Sequence, residues 1–344
     1  MALLEVLDLQ VRFDTADGLV QAVRGVSFAV ESGHTLGIVG ESGSGKSVST
    51  QAAFGFARGA HVSGRALFEG RDLLAMSDRE LRAVRGARVG MIFQDPLTSL
   101  HPMYRVGWQI VEAIRAHDRS VTKRAARSRA IELMARVGIP QPERRVDDYP
   151  HQFSGGMRQR VMIAMAMALT PSLLIADEPT TALDPTVQAQ ILELLRELKE
   201  DFGTAIIMIT HDLGVIAEIA DDVVVLYAGK IMEEAAVRDL FYHYHHPYTE
   251  GLMASLPSTG VRRGELVPID GQPPSPIDPL PGCPFAPRCR YATAECTIEA
   301  PQLLEIPGEP RHRSACVLPR ERAARQALRE TRFAPATRDM VLDR

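Results

Sequence analysis

The chain has 344 residues, 45% of them apolar, enough for one large domain with a full core and a smaller one beside it. Its 39 basic and 43 acidic residues leave a net charge of -4, so no global positive field favours nucleic acid. The longest uninterrupted apolar run, the nine residues Val161 to Leu169, falls far short of the roughly 20 that a membrane-spanning helix needs.

Residues 1 to 9 carry acids where a signal peptide has a basic region, which places the chain in the cytoplasm. Partly alternating apolar residues over 3–30, broken by Asp14-Thr15-Ala16-Asp17-Gly18, predict strands joined by a hairpin. Phe13 lies in the first, as a core aromatic or as a platform for a purine. The buried-strand run Thr35 to Val39 then leads into Gly40-Glu41-Ser42-Gly43-Ser44-Gly45-Lys46-Ser47, which fits the phosphate-loop pattern G-x-x-x-x-G-K-[ST]. Glycines at 40, 43 and 45 let the backbone curl into an anion nest at a helix N-terminus. Lys46 would reach the β- and γ-phosphates, and the Ser47 hydroxyl would bind Mg²⁺ beside them.

Two more strand-like runs follow, Val62–Phe68 and Gly86–Phe93, the second ending at Gln94. From about 105 to 170 the apolar spacing turns helical, and the basic residues Arg119, Lys123, Arg124, Arg127 and Arg129 in this stretch read as a solvated face with no assigned function. Phe153-Ser154-Gly155-Gly156-Met157 is a small-residue turn before an apolar helix, a second place where backbone N–H groups can meet phosphate. The apolar strand Leu173–Ala176 delivers two carboxylates, Asp177 and Glu178, at its end, as a Mg²⁺ ligand and a general base require. Asp184-Pro185 predicts a helix start with an Asp cap and Pro at the first position. The strand Ala205–Thr210 ends at His211, on the sheet edge where ligands collect in parallel α/β folds, and Val223–Tyr227 is another strand.

Beyond about 235 the character changes. His243, His245 and His246 surround Tyr244, and Gly271–Pro281 reads as a stiff extended linker into a distinct C-terminal module. From Arg320 the sequence suggests a frayed helix or tail. All four cysteines, Cys283, Cys289, Cys296 and Cys316, fall in this last segment, spaced C-x5-C-x6-C-x19-C. A reducing compartment argues against disulfides. The gaps are wider than the C-x₂₋₄-C pairs that structural zinc prefers, and they suit a larger iron–sulfur cluster, with Zn²⁺ as the alternative.

The order of phosphate loop, Gln94, Ser154-Gly155-Gly156, Asp177-Glu178, Asp184 and His211 closely resembles an ABC transporter ATPase over nearly the whole chain. The resemblance implies an α/β P-loop NTPase with an antiparallel β subdomain, a helical insertion at about 100–168, and a small cysteine-containing C-terminal module. The ATPase domain would cover 1–240 and the module, with its polar tail, 241–344. Phe13 would stack on adenine, and Gly40, Ser42, Gly43, Ser44, Gly45, Lys46 and Ser47 would hold the ATP phosphates. Ser47, Gln94 and Asp177 would hold Mg²⁺, and Glu178, Gln94 and His211 would be catalytic. Ser154, Gly155 and Gly156 would act on nucleotide held by a second ATPase subunit, and Asp184 would be the D-loop acid of the nucleotide site. Phe153 and Met157 stand where the family most often has Leu and Gln.

His245-His246-Pro247-Tyr248-Thr249 followed by Gly282-Cys283-Pro284-Phe285-Ala286-Pro287-Arg288-Cys289 is similar to the tail of dipeptide, oligopeptide and nickel importer ATPases, most of all to the D-type subunits. This similarity points to a [4Fe–4S] cluster on the four cysteines. It also implies a related F-type ATPase partner, two permease subunits, an extracytoplasmic substrate-binding protein, and a peripheral place on the cytoplasmic face of the membrane. Peptides are the expected cargo and nickel or another small solute the alternative. A soluble ABC ATPase working on ribosomes or DNA ends fits less well, because the chain has one phosphate loop and no sustained heptads. A metal or redox sensor with a merely regulatory nucleotide site is disfavoured by the intact acids, loop and His211.

Overall fold

Alternation over the first thirty residues becomes β1 (Ala2–Thr15) and β2 (Gly18–Glu31), neighbours in a four-stranded sheet of order β2-β1-β4-β5 with β4 at Ala60–Phe68 and β5 at Arg71–Asp72. The structure is a computed structural model that describes residues 2–95, 99–181, 183–256 and 268–318. β1 and β4 run antiparallel, with a register shift between Leu7 and Gln10. Leu4, Val6, Leu9 and Val11 are buried on one side of that shifted ladder. The chain divides into two compact units.

One unit comprises residues 4–29, 36–74 and 210–344. It holds the four-stranded sheet and a second set of strands. There β3 (Thr35–Val39) lies parallel to β9 (Asp222–Tyr227), and β9 lies antiparallel to β10 (Lys230–Ala236). β3 is buried at every position and β9 at all but its first residue, which is why both read as continuous apolar runs rather than alternating ones. The C-terminal segment adds β11 (Leu304–Ile306) and β12 (Glu309–Ser314), with β12 pairing antiparallel to β10. The described residues after 241 fall in the same compact unit as the phosphate loop.

The linker, too, is bound in rather than spanning open space. Gln21 N–H donates to the Pro276 carbonyl at 2.8 Å, and Arg24 donates to the Leu280 carbonyl at 3.3 Å. The tail from Arg320 lies outside the described residues.

The other unit comprises residues 1–3, 30–35 and 75–209. β6 (Val89–Ile92), β7 (Leu173–Asp177) and β8 (Ala205–Thr210) run parallel through it, β7 being the middle one. The helical stretch consists of helices Val106–His117, Lys123–Arg136, Pro142–Arg145 and Gly155–Ala166. The last starts at Gly155, six residues before its apolar run, so the small-residue turn is itself the helix N-terminus. Helix Pro185–Phe202 starts as the sequence predicts, with the Asp184 side chain accepting from the N–H groups of Thr186 and Val187 at 3.1 and 3.0 Å. It buries Ile191, Leu192, Leu194, Leu195 and Leu198, each contributing about 1.5–3 kcal/mol when fully covered. Among the described residues no helix is long and apolar enough to cross a membrane.

Candidate functional site

The phosphate loop takes the curled path that its glycines allow, with φ of 151° at Gly40, 78° at Gly43 and 99° at Gly45. At Gly40 a glycine is required by space as well, since a Cβ would lie 2.1 Å from the Leu226 carbonyl oxygen. The loop delivers Lys46 as the first residue of helix Lys46–Ala53. Lys46 Nζ bends back across the loop and donates to the carbonyls of Gly40 at 2.7 Å and Glu41 at 3.0 Å. Ser44 Oγ is buried with no hydrogen-bond partner, as a hydroxyl facing an anion site would be. Ser42, Gly43 and Ser44 line a cleft with Gln21, Arg24 and the prolines 273, 274, 276 and 279. Phe13 is half-buried on β1 opposite Ala60 and is not part of this cleft lining.

Behind the loop, the C-terminal segment grips Glu41. Arg288 Nη1 and Nη2 donate to the two Glu41 carboxylate oxygens at 2.6 and 3.0 Å. Its other donors reach Tyr227 Oη, the Ile269 carbonyl and the Asp270 carbonyl. The hydrogen bond to Glu41 holds the Arg288 pKa above its ordinary value, outweighing the cost of burial. The fully buried Tyr248 accepts from the Glu41 N–H at 2.8 Å, and burial pushes its phenol up. His211, also in this unit, is exposed directly after β8.

In the other unit β7 places Asp177 buried at its end and Glu178 just beyond it. Glu178 has φ of 48°, an uncommon setting for a side-chain-bearing residue. Gln94 Nε2 donates to Glu178 Oε2 at 3.0 Å, and Thr181 Oγ1 donates to the same oxygen at 2.8 Å. Two residues singled out separately in the sequence thus meet. Ser154 caps its helix by accepting from the Met157 N–H at 3.4 Å, and both Ser154 and Gly155 are exposed. Phe153 is buried, with the Arg145 guanidinium 5.7 Å from its ring centre, so the departure from Leu is accommodated.

The sequence reading missed an exposed aromatic patch near the start of the helical stretch. Tyr104 stacks on Trp108 with ring centres 4.2 Å apart, and both stay about half exposed beside Met103. Their spacing of four on a helix start was the available signal. The reading also missed Glu41 and Arg288, whose partnership no local pattern reveals.

All four cysteines line one pocket, together with Phe285, Tyr291 and His246. Gly282 holds two of their segments together, because a Cβ there would sit 2.2 Å from the Cys296 carbonyl oxygen. Cys283 N–H donates to that same carbonyl at 2.8 Å. Burial pushes the Cys283 thiol up to about 11 and the Cys289 thiol to about 12. Among the described residues the group gathered tightly enough for one metal ion is His245, Glu309 and His312, not the cysteines.

Residues 23–181 match the model of the family described as ABC transporter, and residues 232–296 match the oligopeptide/dipeptide transporter C-terminal region. The chain is 55% identical to the oligopeptide transport ATP-binding protein OppD of Bacillus subtilis over 310 residues, 88% of this chain and 86% of that protein. It is 52% identical to the dipeptide transport ATP-binding protein DppD of the same organism, over 85% of this chain and 88% of the relative. The chain belongs to the ABC transporter ATP-binding family, in its oligopeptide and dipeptide branch. The fold agrees: the dimeric post-hydrolysis structure of the ATP-binding cassette MJ0796, bound to ADP and Pi, superposes with a TM-score of 0.62 at 26% identity. That match covers 68% of this chain and 99% of the cassette.

Proposed function

We propose that this chain is the ATP-hydrolysing subunit that powers import of di- or oligopeptides through a membrane ABC transporter. The observation that carries the reading is a curled phosphate loop, with a buried unpartnered Ser44 hydroxyl, in a chain matching peptide-transport ATP-binding proteins over most of its length. The matched relatives are named for oligopeptides and dipeptides, which favours peptides over nickel as cargo.

The loop residues Gly40 to Ser47 bind the ATP phosphates, Lys46 supplying positive charge and Ser47 a hydroxyl for Mg²⁺. Asp177 and Gln94 are the further Mg²⁺ partners, and Phe13 the adenine platform. Glu178 orients water for in-line attack on the γ-phosphorus and takes its proton as the bond to ADP breaks, while His211 contacts the γ-phosphate. The Gln94 and Thr181 hydrogen bonds to Glu178 Oε2 support this role by fixing the carboxylate. Ser154, Gly155 and Gly156 complete the site of a second, related F-type ATPase subunit, with Asp184 as the D-loop acid; the exposure of Ser154 and Gly155 fits a surface awaiting a partner. Two permease subunits dock through the Gln94 region. A substrate-binding protein supplies cargo from outside, and the ATPase sits on the cytoplasmic face.

The four cysteines hold a [4Fe–4S] cluster, Zn²⁺ being the alternative. Their convergence on one pocket supports a shared ligand. Such a group supplies binding energy to a segment with little core of its own. We retain the division into an ATPase domain at 1–240 and an importer-type region at 241–344 as a functional one, supported by the second family match beginning at 232.

Purification of the complex from native membranes tests the reading. Co-purifying permease subunits and a peptide-loaded binding protein are expected; ribosomal proteins in their place would overturn it.

A further inference from the structure

The same unit contains a cluster of titratable groups that nucleotide chemistry does not use. His245 and His312 are buried, and Glu309 is mostly so. His245 Nε2 lies 2.9 Å from Glu309 Oε2, and His312 Nδ1 lies 3.1 Å from the same oxygen. The second contact is not a hydrogen bond, since His312 Nδ1 is buried without a partner. His245 Nδ1 is likewise unpartnered, so no second hydrogen bond commits that ring to carrying its proton on Nε2. At the other end of its ring, His312 Nε2 bonds to Glu233 Oε1 at 2.8 Å, and Glu233 is completely buried. With Glu233 accepting a hydrogen bond from His312 Nε2–H, the Nδ1 lone pair is left facing Glu309. A carboxylate behind a histidine is the arrangement that orients imidazole toward a metal.

The backbone is bent to make this possible. Residues 309 and 312 are an odd number apart on β12, so in a regular strand they would face opposite sides. Arg311, between them, has φ of 69°, and the β11–β12 register slips between Glu305 and Ile306. The irregularity re-aims one side chain so that Glu309 and His312 converge, a use to which bulges are put beside functional sites.

We propose that His245 Nε2, His312 Nδ1 and the Glu309 carboxylate form a zinc site, separate from both the phosphate loop and the cysteines. All three donor atoms lie within 4.8 Å of one another. In a tetrahedral site with bonds of about 2.0–2.2 Å, neighbouring donors stand roughly 3.3–3.6 Å apart, so small movements from the present contacts admit the ion. Two imidazoles and one carboxylate suit Zn²⁺, with water completing the shell from the partly exposed Glu309 side. The ion ties the segment after β10 to β12, and its role is structural.

The test uses the full chain, stripped with a chelator and then given Zn²⁺ alone, with metal analysis and zinc X-ray absorption. Stoichiometric zinc with a nitrogen and oxygen shell is expected, undiminished in Cys289→Ser. Glu309→Gln removes a ligand at a partly exposed position and should weaken binding by at least about 10- to 100-fold, the cost even of an outer-shell change. Zinc should raise the melting temperature of the parent and not of folded Glu309→Gln. A folded parent that binds no zinc, a sulfur-containing shell, or undiminished zinc in Glu309→Gln would overturn the proposal.

Discussion

Arg288 and Glu41, 247 residues apart in sequence, form a two-pronged ion pair that joins the cysteine-bearing segment to the second residue of the phosphate loop. The Arg288 side chain is 4% exposed and all five of its N–H donors have acceptors, which fixes its plane and hence the Glu41 carboxylate. Arg288→Met should cost about 3 kcal/mol, the lower end for breaking a buried pair, because Glu41 retains some contact with water. Glu41→Gln should cost less, and denaturant unfolding of the two single variants and the double should show their coupling. Additive effects would mean that the pair does not act as a unit.

Glu178→Gln should preserve ATP binding and lower hydrolysis in the assembled complex by about 10²- to 10⁴-fold, the usual worth of a general base. The amide keeps the shape that Gln94 and Thr181 hold. Turnover at the parental rate would remove Glu178 from that role. Lys46→Ala should instead reduce nucleotide affinity itself.

Ser154→Arg should leave nucleotide affinity of the isolated subunit nearly intact while lowering hydrolysis in the complex, if the exposed serine acts, as proposed, on nucleotide held by the partner. Loss of its helix cap should cost about 1 kcal/mol in stability. Equal loss of ATP affinity in the isolated variant would speak against action across the dimer.

Anaerobically purified protein should be brown and carry about four irons per chain. Cys289→Ser should lower the iron content and the melting temperature together, because metal binding energy is also folding energy. Colourless protein with zinc bound through sulfur would replace the cluster with the alternative.

The Asp147 carboxylate accepts two hydrogen bonds from Arg127, at 2.9 and 2.6 Å, and a longer one from Arg105. Arg127 chiefly, and Arg105 with it, hold the Asp147 pKa below its ordinary 3.8. The unfolded chain therefore binds the proton first on acidification. The pair's contribution is fully present above about pH 3.8 and fades as pH falls through the lower folded value. Asp147→Asn should be less stable than the parent near neutrality and match it in strong acid, as unfolding at several pH values will show.

Much of this protein was legible in order along the chain because the signals are local. A phosphate loop is a run of eight residues whose glycines dictate its path, and the Asp184-Pro185 helix start needs only its own N–H groups. Buried parallel strands announce themselves as apolar runs, as β3, β7 and β8 did. Tertiary structure decided what depends on distant segments arriving together. Gln94 meets Glu178 across 84 residues only because β6 and β7 are neighbours, and Arg288 finds Glu41 only because the C-terminal segment folds against the loop. Arg127, one of a cluster that reads as a solvated face, turns out to hold Asp147. Glu309 and His312 are the sharpest case. Strand periodicity sets them on opposite sides, and the left-handed Arg311, a local conformation that the residue type disfavours, brings them to the same one.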